Sequence, residues 1–270
     1  MWILLENSQR LDVWVSQILG VSREYAKQIV LDGKCVVDGK IEFKPGAKFS
    51  ENAEISLNVG PPRYVSRGGY KIEKAIESFN LNVDNLYCMD VGASTGGFTD
   101  CLLKHGAAAV LAVDNGCGQL SPILAENSQI IALENTDIRT LNLDDLPFIP
   151  NLIAVDVSFI SLIHIVPKVA ELLSETGQAV LLIKPQFEVG PGRVSKGISK
   201  NPKDHIGVIA NIAEMASNCG LQPMALDFSP IKGQSGNIEY LILLKKDTKC
   251  INLDKFLVEK IVQEVFATLR

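Results

Sequence analysis

The sequence predicts an α/β protein: a parallel sheet with helices on both faces, preceded by a small α+β unit. Three observations predict it. From Tyr87 onward, short apolar runs alternate with helical patterns, as a doubly wound sheet requires. A glycine-rich loop follows the first of those runs. Near residue 60 the pattern changes at Gly60-Pro61-Pro62, where paired prolines lack donors and stiffen an extended path. At 270 residues, one large domain plus a small one is expected.

In chain order, Leu11, Val15, Ile18 and Leu19 recur at helical spacing within residues 10–19. Ser22 then opens a second helix with Ala26, Ile29 and Val30 on its inner face, and Gly33 ends it. Asp38-Gly39 sits between short β-prone runs, 35–37 and 40–41, as a tight hairpin turn requires. Lys44-Pro45-Gly46 turns again, and a run at 54–57 closes the unit. The predicted strands of the large domain are 87–91, 110–113, 130–133, 152–156 and 179–184. The expected division is 1–59, a linker at 60–70, and a large domain at 71–270.

Composition excludes several classes. Hydrophobic content of 47% with 21% charge is that of a folded chain. The six cysteines (Cys35, Cys88, Cys101, Cys117, Cys219, Cys250) form no CxxC pair, and with three histidines there is no zinc spacing, so no metal and a reducing, cytoplasmic setting are expected. His105, His164 and His205 fall in no motif and read as surface or satisfied groups. Met1 to Glu6 is apolar but has no basic lead and no long apolar run, so it is not read as a signal peptide, and no run is long enough to span a bilayer. The net charge is -5, yet residues 1–75 carry 11 basic against 9 acidic side chains, leaving 15 against 22 for the rest. A nucleic-acid grip is therefore expected at the N-terminal end and in the basic, aromatic segment Arg63-Tyr64-Val65-Ser66-Arg67-Gly68-Gly69-Tyr70-Lys71, which otherwise reads as a hinge.

The residues with distinctive chemistry fall at the carboxyl ends of the strands, where such sheets bind ligands. Asp90, Gly92, Ala93, Ser94, Thr95, Gly96, Gly97 and Phe98 form a strand-exit loop leading into a helix. Glycines there let the backbone approach a ligand, and the helix start offers free N–H donors. The pattern D-x-G-x-x-x-G-G is not the dinucleotide fingerprint G-x-G-x-x-G. Asp114, about 20 residues on, is placed to accept both ribose hydroxyls of a nucleoside. Asp137, after the third strand, is placed to meet its adenine, or else is a capping or ion-paired carboxylate. Together these favour S-adenosyl-L-methionine as the cofactor. Lys71, Asp156, Lys184 and Glu239 are four separated residues that can converge; a lysine ending an apolar strand before Pro185 is costly unless it has a task.

Arg10-Leu11-Asp12, Ser22-Arg23, Gly33-Lys34, Val36-Val37-Asp38-Gly39 and Lys44-Pro45-Gly46 make residues 8–58 resemble the alpha-L RNA-binding domain of the ribosomal protein S-four type. That resemblance nominates Arg10, Ser22, Arg23, Lys27, Lys34 and Lys44 for RNA contact; the basic linker adds Arg63 and Arg67. Five further motifs make nearly the whole chain similar to the TlyA family, often labelled hemolysins, with an FtsJ-like catalytic domain: Arg-Gly-Gly-x-Lys (67–71), Asp-Val-Gly-Ala-Ser-Thr-Gly-Gly-Phe-Thr-Asp (90–100), Asp-Val-Ser-Phe-Ile-Ser (156–161), Ile-Lys-Pro-Gln-Phe-Glu (183–188) and Pro-Ile-Lys-Gly-Gln-Ser-Gly-Asn-Ile-Glu (230–239). The resemblance implies a Rossmann-like S-adenosylmethionine-dependent methyltransferase sheet and a Lys-Asp-Lys-Glu tetrad, which maps onto Lys71, Asp156, Lys184 and Glu239. It also implies ribose 2'-hydroxyl methylation of ribosomal RNA or ribosomal subunits, with cytidine as the nucleoside. Two roles for Lys184 stay open: general base toward the hydroxyl, or a cation stabilising the developing alkoxide. The rival functions are a non-catalytic ribosome assembly factor and a membrane-active hemolysin.

Overall fold

The computed structural model describes residues 8–60, 62–190, 192–233, 236–246 and 253–269. Met1 to Glu6, Pro61, the Gln234-Ser235 part of the late motif and Cys250 lie outside the described residues.

The N-terminal part runs β1 (Ser8–Arg10), α1 (Leu11–Leu19), α2 (Arg23–Leu31), β2 (Cys35–Val37), β3 (Lys40–Glu42), β4 (Lys48–Ser50) and β5 (Ile55–Leu57). Asp38 and Gly39 both take positive φ, 48° and 77°, as the two-residue hairpin between β2 and β3 demands. Strand β2 is flanked by β3 and β5, and β1 pairs with β4. Leu11, Val15, Ala26, Ile29, Val30 and Cys35 close a hydrophobic cluster of their own.

The rest is built from α3 (Gly68–Ser78), β6 (Tyr87–Val91), α4 (Gly97–Lys104), β7 (Ala109–Val113), α5 (Pro122–Ala125), β8 (Ile130–Leu133), β9 (Leu152–Val155), α6 (Val166–Leu172), β10 (Gln178–Ile183), α7 (Pro185–Glu188), α8 (Pro202–Asn218), β11 (Leu221–Phe228), β12 (Tyr240–Lys246) and α9 (Lys255–Thr268). The sheet order is β11-β12-β10-β9-β6-β7-β8. Pairing is parallel from β8 to β10, and β12 runs antiparallel between β10 and β11. The sheet is thus mostly, not wholly, parallel. One face packs on α6, α8 and α9 and the other on α3 and α4, so strands such as β9 are buried along their length, each large aliphatic contributing roughly 1.5–3 kcal/mol.

Strand order reverses between β6 and β9, which opens a crevice at their carboxyl ends. The segment read as a linker behaves differently. Tyr64 and Val65 are buried, the Val65 N–H donates to Asp100 Oδ2 at 2.9 Å, and the Tyr64 hydroxyl donates to Glu73 Oε1 at 2.8 Å. Helix α3 starts at Gly68, ahead of the expected 71. The glycines there are packing residues: a Cβ on Gly69 would lie 2.3 Å from Tyr64, and one on Gly97 would lie 2.1 Å from Ser66 Oγ and 3.2 Å from the Gly68 Cα. Their absent side chains let α3 and α4 meet at their first turns.

Candidate active site

Four charged side chains converge where β6, β9 and β10 end. Lys71 Nζ lies 2.8 Å from Glu239 Oε2 and 3.7 Å from Asp156 Oδ2, and Lys184 Nζ lies 2.5 Å from Asp156 Oδ1. Each arrives on a different element: the first turn of α3, the ends of β9 and β10, and the residue before β12. Lys71, Lys184 and Glu239 are buried. Burial pushes the Lys71 amine down, but Asp156 and Glu239 more than reverse this and hold it above the usual lysine range. Burial likewise pushes the Asp156 carboxyl up, and the pull of Lys71 and Lys184 holds it below the ordinary carboxylate value. Two lysine side chains thus face two acidic ones. Gly233 permits the approach of its loop, since a Cβ there would meet the Glu239 carboxylate.

The tetrad sits where two cavities join. One, of about 630 Å³, is lined by Gly92, Ser94, Asp114, Gln119, Asp137 and Phe159 among others. The second, of about 420 Å³, lies between α2 and the large sheet, with Arg23, Tyr25, Arg67 and Lys232 on its walls. Lys71, Gly92, Ser94, Asp156, Ser158 and Lys184 belong to both.

The loop residues divide between these spaces. Gly92 has φ +83°, and a Cβ on it would lie 2.5 Å from the Asp156 carbonyl oxygen, so only glycine lets the loop lie flat against β9. Gly92 and Ser94 line both; Asp90, Ala93, Thr95, Gly97 and Phe98 line the interdomain one alone. Gly96 has φ +89°, and a Cβ there would meet Leu120 and Leu124. Asp90 is fully buried beneath the loop; its Oδ2 accepts from the Thr99 N–H and hydroxyl at 2.9 and 2.7 Å, while Oδ1 has no hydrogen-bond partner. Burial pushes its carboxyl up to about 7, against the opposing pull of Thr99.

Asp114 follows β7, and its two oxygens accept the Ser94 and Gly116 N–H groups at 2.8 and 2.6 Å. These bonds fix the carboxylate on the cavity wall and leave lone pairs for hydroxyls. Asp137 also lines the cavity, but it caps the short turn 138–140 and is gripped by the Arg139 guanidinium at 2.5–3.0 Å. Its side chain therefore follows the capping, ion-paired alternative.

The nominated RNA residues separate similarly. Arg23 and Arg67 reach the interdomain cavity, Arg67 donating to the Lys232 carbonyl at 2.8 Å. Ser22 lines it too, but its hydroxyl caps α2 through the Tyr25 N–H and its own N–H donates to the Val65 carbonyl at 2.8 Å. Arg10 pairs with Asp12, Lys27 with Glu24, and Arg63 with Glu73. Lys34 and Lys44 are exposed away from the cavity. His205 is fully buried and bonded to the Tyr240 hydroxyl and to Ser199, a satisfied core histidine.

Sequence reasoning passed over Ser158 and Phe159. Lys184 Nζ donates to Ser158 Oγ at 2.8 Å. Phe159 takes φ +63°, leaves 85% of its surface exposed and packs on Phe187 with ring centroids 5.1 Å apart. A bulky residue so placed carries strain. The available signal is an aromatic in a polar loop three residues after Asp156.

The FtsJ-like methyltransferase family model matches residues 64–246. The chain belongs to this family. At the level of whole chains it is 41% identical to "Hemolysin A" of Brachyspira hyodysenteriae over 86% of this chain and 98% of that one. It is 36% identical to "16S/23S rRNA (cytidine-2'-O)-methyltransferase TlyA" of Mycobacterium tuberculosis over 85% of this chain and 87% of that one. These relatives place it in the TlyA family. A solved structure of a hemolysin-labelled protein from Streptococcus thermophilus superposes with a TM-score of 0.81 at 38% identity, covering 97% of both chains. As a family member the chain is an S-adenosylmethionine-dependent methyltransferase. The flattened loop at Gly92, the fixed Asp114 carboxylate and the volume of the larger cavity fit a nucleoside cofactor. Among the described residues no cluster suited to a metal ion occurs, and no helix is long and apolar enough to cross a membrane.

Proposed function

We propose that the chain methylates a ribose 2'-hydroxyl of ribosomal RNA, with cytidine as the nucleoside. The observation that carries this reading is the junction of the cofactor-sized cavity with a basic interdomain cleft at the Lys71–Asp156–Lys184–Glu239 cluster. The larger cavity suits S-adenosylmethionine, with Gly92 and Ser94 lying beside it and Asp114 receiving the ribose hydroxyls. When bound, the cofactor supplies an electrophilic methyl group on its sulfonium.

A ribose hydroxyl is a weak nucleophile that needs alignment and a destination for its proton. Lys184 Nζ has two of its tetrahedral positions engaged by Asp156 Oδ1 and Ser158 Oγ. One position remains for the substrate hydroxyl: as the neutral amine, Lys184 gives its two N–H groups to Asp156 and Ser158, and its lone pair takes the hydroxyl proton as the oxygen bonds to the methyl group, leaving Lys184 an ammonium. Asp156, ionised and shared by both lysines, holds the two amines at fixed separation; Lys71 and Glu239 complete the charge balance. Phe159 offers an exposed ring beside the site on which a displaced base can stack. The names of relatives from Mycobacterium tuberculosis and Campylobacter jejuni, both cytidine-2'-O-methyltransferases acting on rRNA, support the substrate assignment.

Ribose methylation is mapped in cells lacking the gene and complemented by wild type or by Lys184→Ala. The wild type restores a mark and Lys184→Ala does not, while calorimetry finds its cofactor affinity retained. A mark fully restored by Lys184→Ala refutes the role of Lys184. Absence of any transfer by wild-type protein to ribosomal subunits refutes the enzyme reading in favour of a ribosome-binding factor.

A further inference from the structure

Strand order divides the larger cavity into two sides. Gly92, Ser94 and Asp114, which fit the cofactor, follow β6 and β7, whereas Lys184, Gln186 and Phe187 follow β10. In the order β10-β9-β6-β7 the outer two strands lie three spacings apart, roughly 14 Å. The β10 side is left to the substrate. Phe159, Gln186 and Phe187 line the cavity there, beside the charged cluster.

Gln186, on α7, is half-buried, and its Oε1 is fully buried with no hydrogen-bond partner among the described residues. A buried amide oxygen without a donor costs about 1–3 kcal/mol. The other buried side-chain atoms in that condition have different settings. Asp156 Oδ1 and Glu239 Oε2 face lysines, Asp90 Oδ1 lies beneath the glycine loop, and Trp14 and Ser174 line neither cavity. Gln186 alone among them puts a neutral acceptor at the wall of the larger cavity.

A primary amide sets an acceptor beside a donor. Its complement is a donor beside an acceptor, which is the edge that cytosine presents with its N4 amino group and N3; uracil presents the reverse, O4 beside N3–H. Phe159, exposed and packed on Phe187, offers the face on which a displaced base stacks, and Gln186 adjoins Phe187 two residues beyond Lys184. Face and edge of one base can thus be held next to the residue that takes the hydroxyl proton.

We infer that Gln186 reads the base of the nucleotide being methylated: its buried Oε1 accepts the exocyclic amino group, and Nε2 donates to the adjacent ring nitrogen. An amino base is taken and a keto base refused. Adenine carries the same pair of groups, so within the cytidine reading, on which this inference rests, the choice is cytosine against uracil. A site whose buried acceptor goes unpaired with the wrong substrate discriminates strongly, because the unpaired group is then shut away from water.

The test uses the full chain, S-adenosylmethionine labelled on its methyl group, and two preparations of ribosomal subunits that differ only in carrying cytidine or uridine at the mapped target. Wild type has a kcat/KM about tenfold to a hundredfold higher on the cytidine subunits, as a bidentate pair warrants. Gln186→Met, similar in size and unable to pair, slows on cytidine and brings the two substrates level. Gln186→Glu, whose oxygens only accept in either orientation, keeps the preference for cytidine. Each ratio is taken within one protein, so an effect of the variant on Lys184 cancels. Calorimetry finds the cofactor affinity of both variants unchanged, which also shows that they fold. Equal rates of wild type on both preparations, a wild-type ratio in Gln186→Met, or level substrates in Gln186→Glu each overturns the inference. Lost cofactor affinity in a folded Gln186→Met also overturns it, assigning the amide to the cofactor. Transfer by wild type to neither preparation refutes the enzyme reading itself, whereas equal transfer to both refutes the role of Gln186 alone.

Discussion

Asp90 provides the sharpest quantitative expectation. Its carboxyl, ordinarily near 3.8, is pushed up to about 7 by complete burial, and Oδ1 is left without a partner. Between those two values the folded protein holds a proton that the unfolded chain has released, so stability falls as pH rises. At 1.36 kcal/mol per unit, this group costs wild type about 2 kcal/mol between pH 5 and 7 and a few tenths more by pH 8, where the loss is complete. Asp90→Asn keeps an oxygen to accept from the Thr99 N–H and hydroxyl, and its amide does not titrate. Urea unfolding of the cofactor-free protein at pH 5, 6, 7 and 8 therefore finds the variant gaining on wild type by that total from pH 5 to 8, at constant m. Parallel stability curves for the two proteins refute the account, since they mean that Asp90 ionises in the fold without penalty.

Two further outcomes follow from the same geometry. Lys71→Met leaves the Glu239 and Asp156 carboxylates buried with one cation fewer, and denaturant midpoints drop by the equivalent of about 3–5 kcal/mol at pH 7. Because the lowered Asp156 carboxyl contributes stability that is present above its unfolded value and lost as pH falls through its folded one, the deficit of this variant shrinks in acid. Gly92→Ala must accept φ +83° at a cost of roughly 1–2 kcal/mol, and must also move the Asp156 backbone away from its Cβ. Calorimetry should find cofactor binding weakened in that variant; unchanged affinity removes Gly92 from the cofactor cradle.

Much of this protein was legible from local sequence because the signals were local. Alternating apolar runs specified β6 to β10 to within a residue, Asp38-Gly39 specified its hairpin, and Asp90 to Phe98 marked a ligand loop. The motifs also named the four residues that meet, though not their pairing. That Lys71 bonds Glu239 while Lys184 bonds Asp156 depends on β12 inserting antiparallel beside β10, which brings residue 239 to the carboxyl end of the sheet. Such an insertion joins segments far apart in the chain and leaves no periodicity to read.

The same distinction explains the other differences. Gly68 and Gly69 read as linker because glycine is a poor helix former, but their small size lets α3 touch Tyr64 and α4. Asp137 and Arg63 were nominated by position and charge, and tertiary neighbours claimed their side chains. Asp12, Ser158 and Phe159 were visible as letters, and only the fold gave them partners. The elements, the glycine loop and the membership of the charged cluster are written in the order of residues, since backbone propensity and short motifs act over a few positions. The tertiary structure decided which charges neutralise one another and which stay open to a ligand, because Coulombic pairing and burial depend on distances that the chain order does not contain.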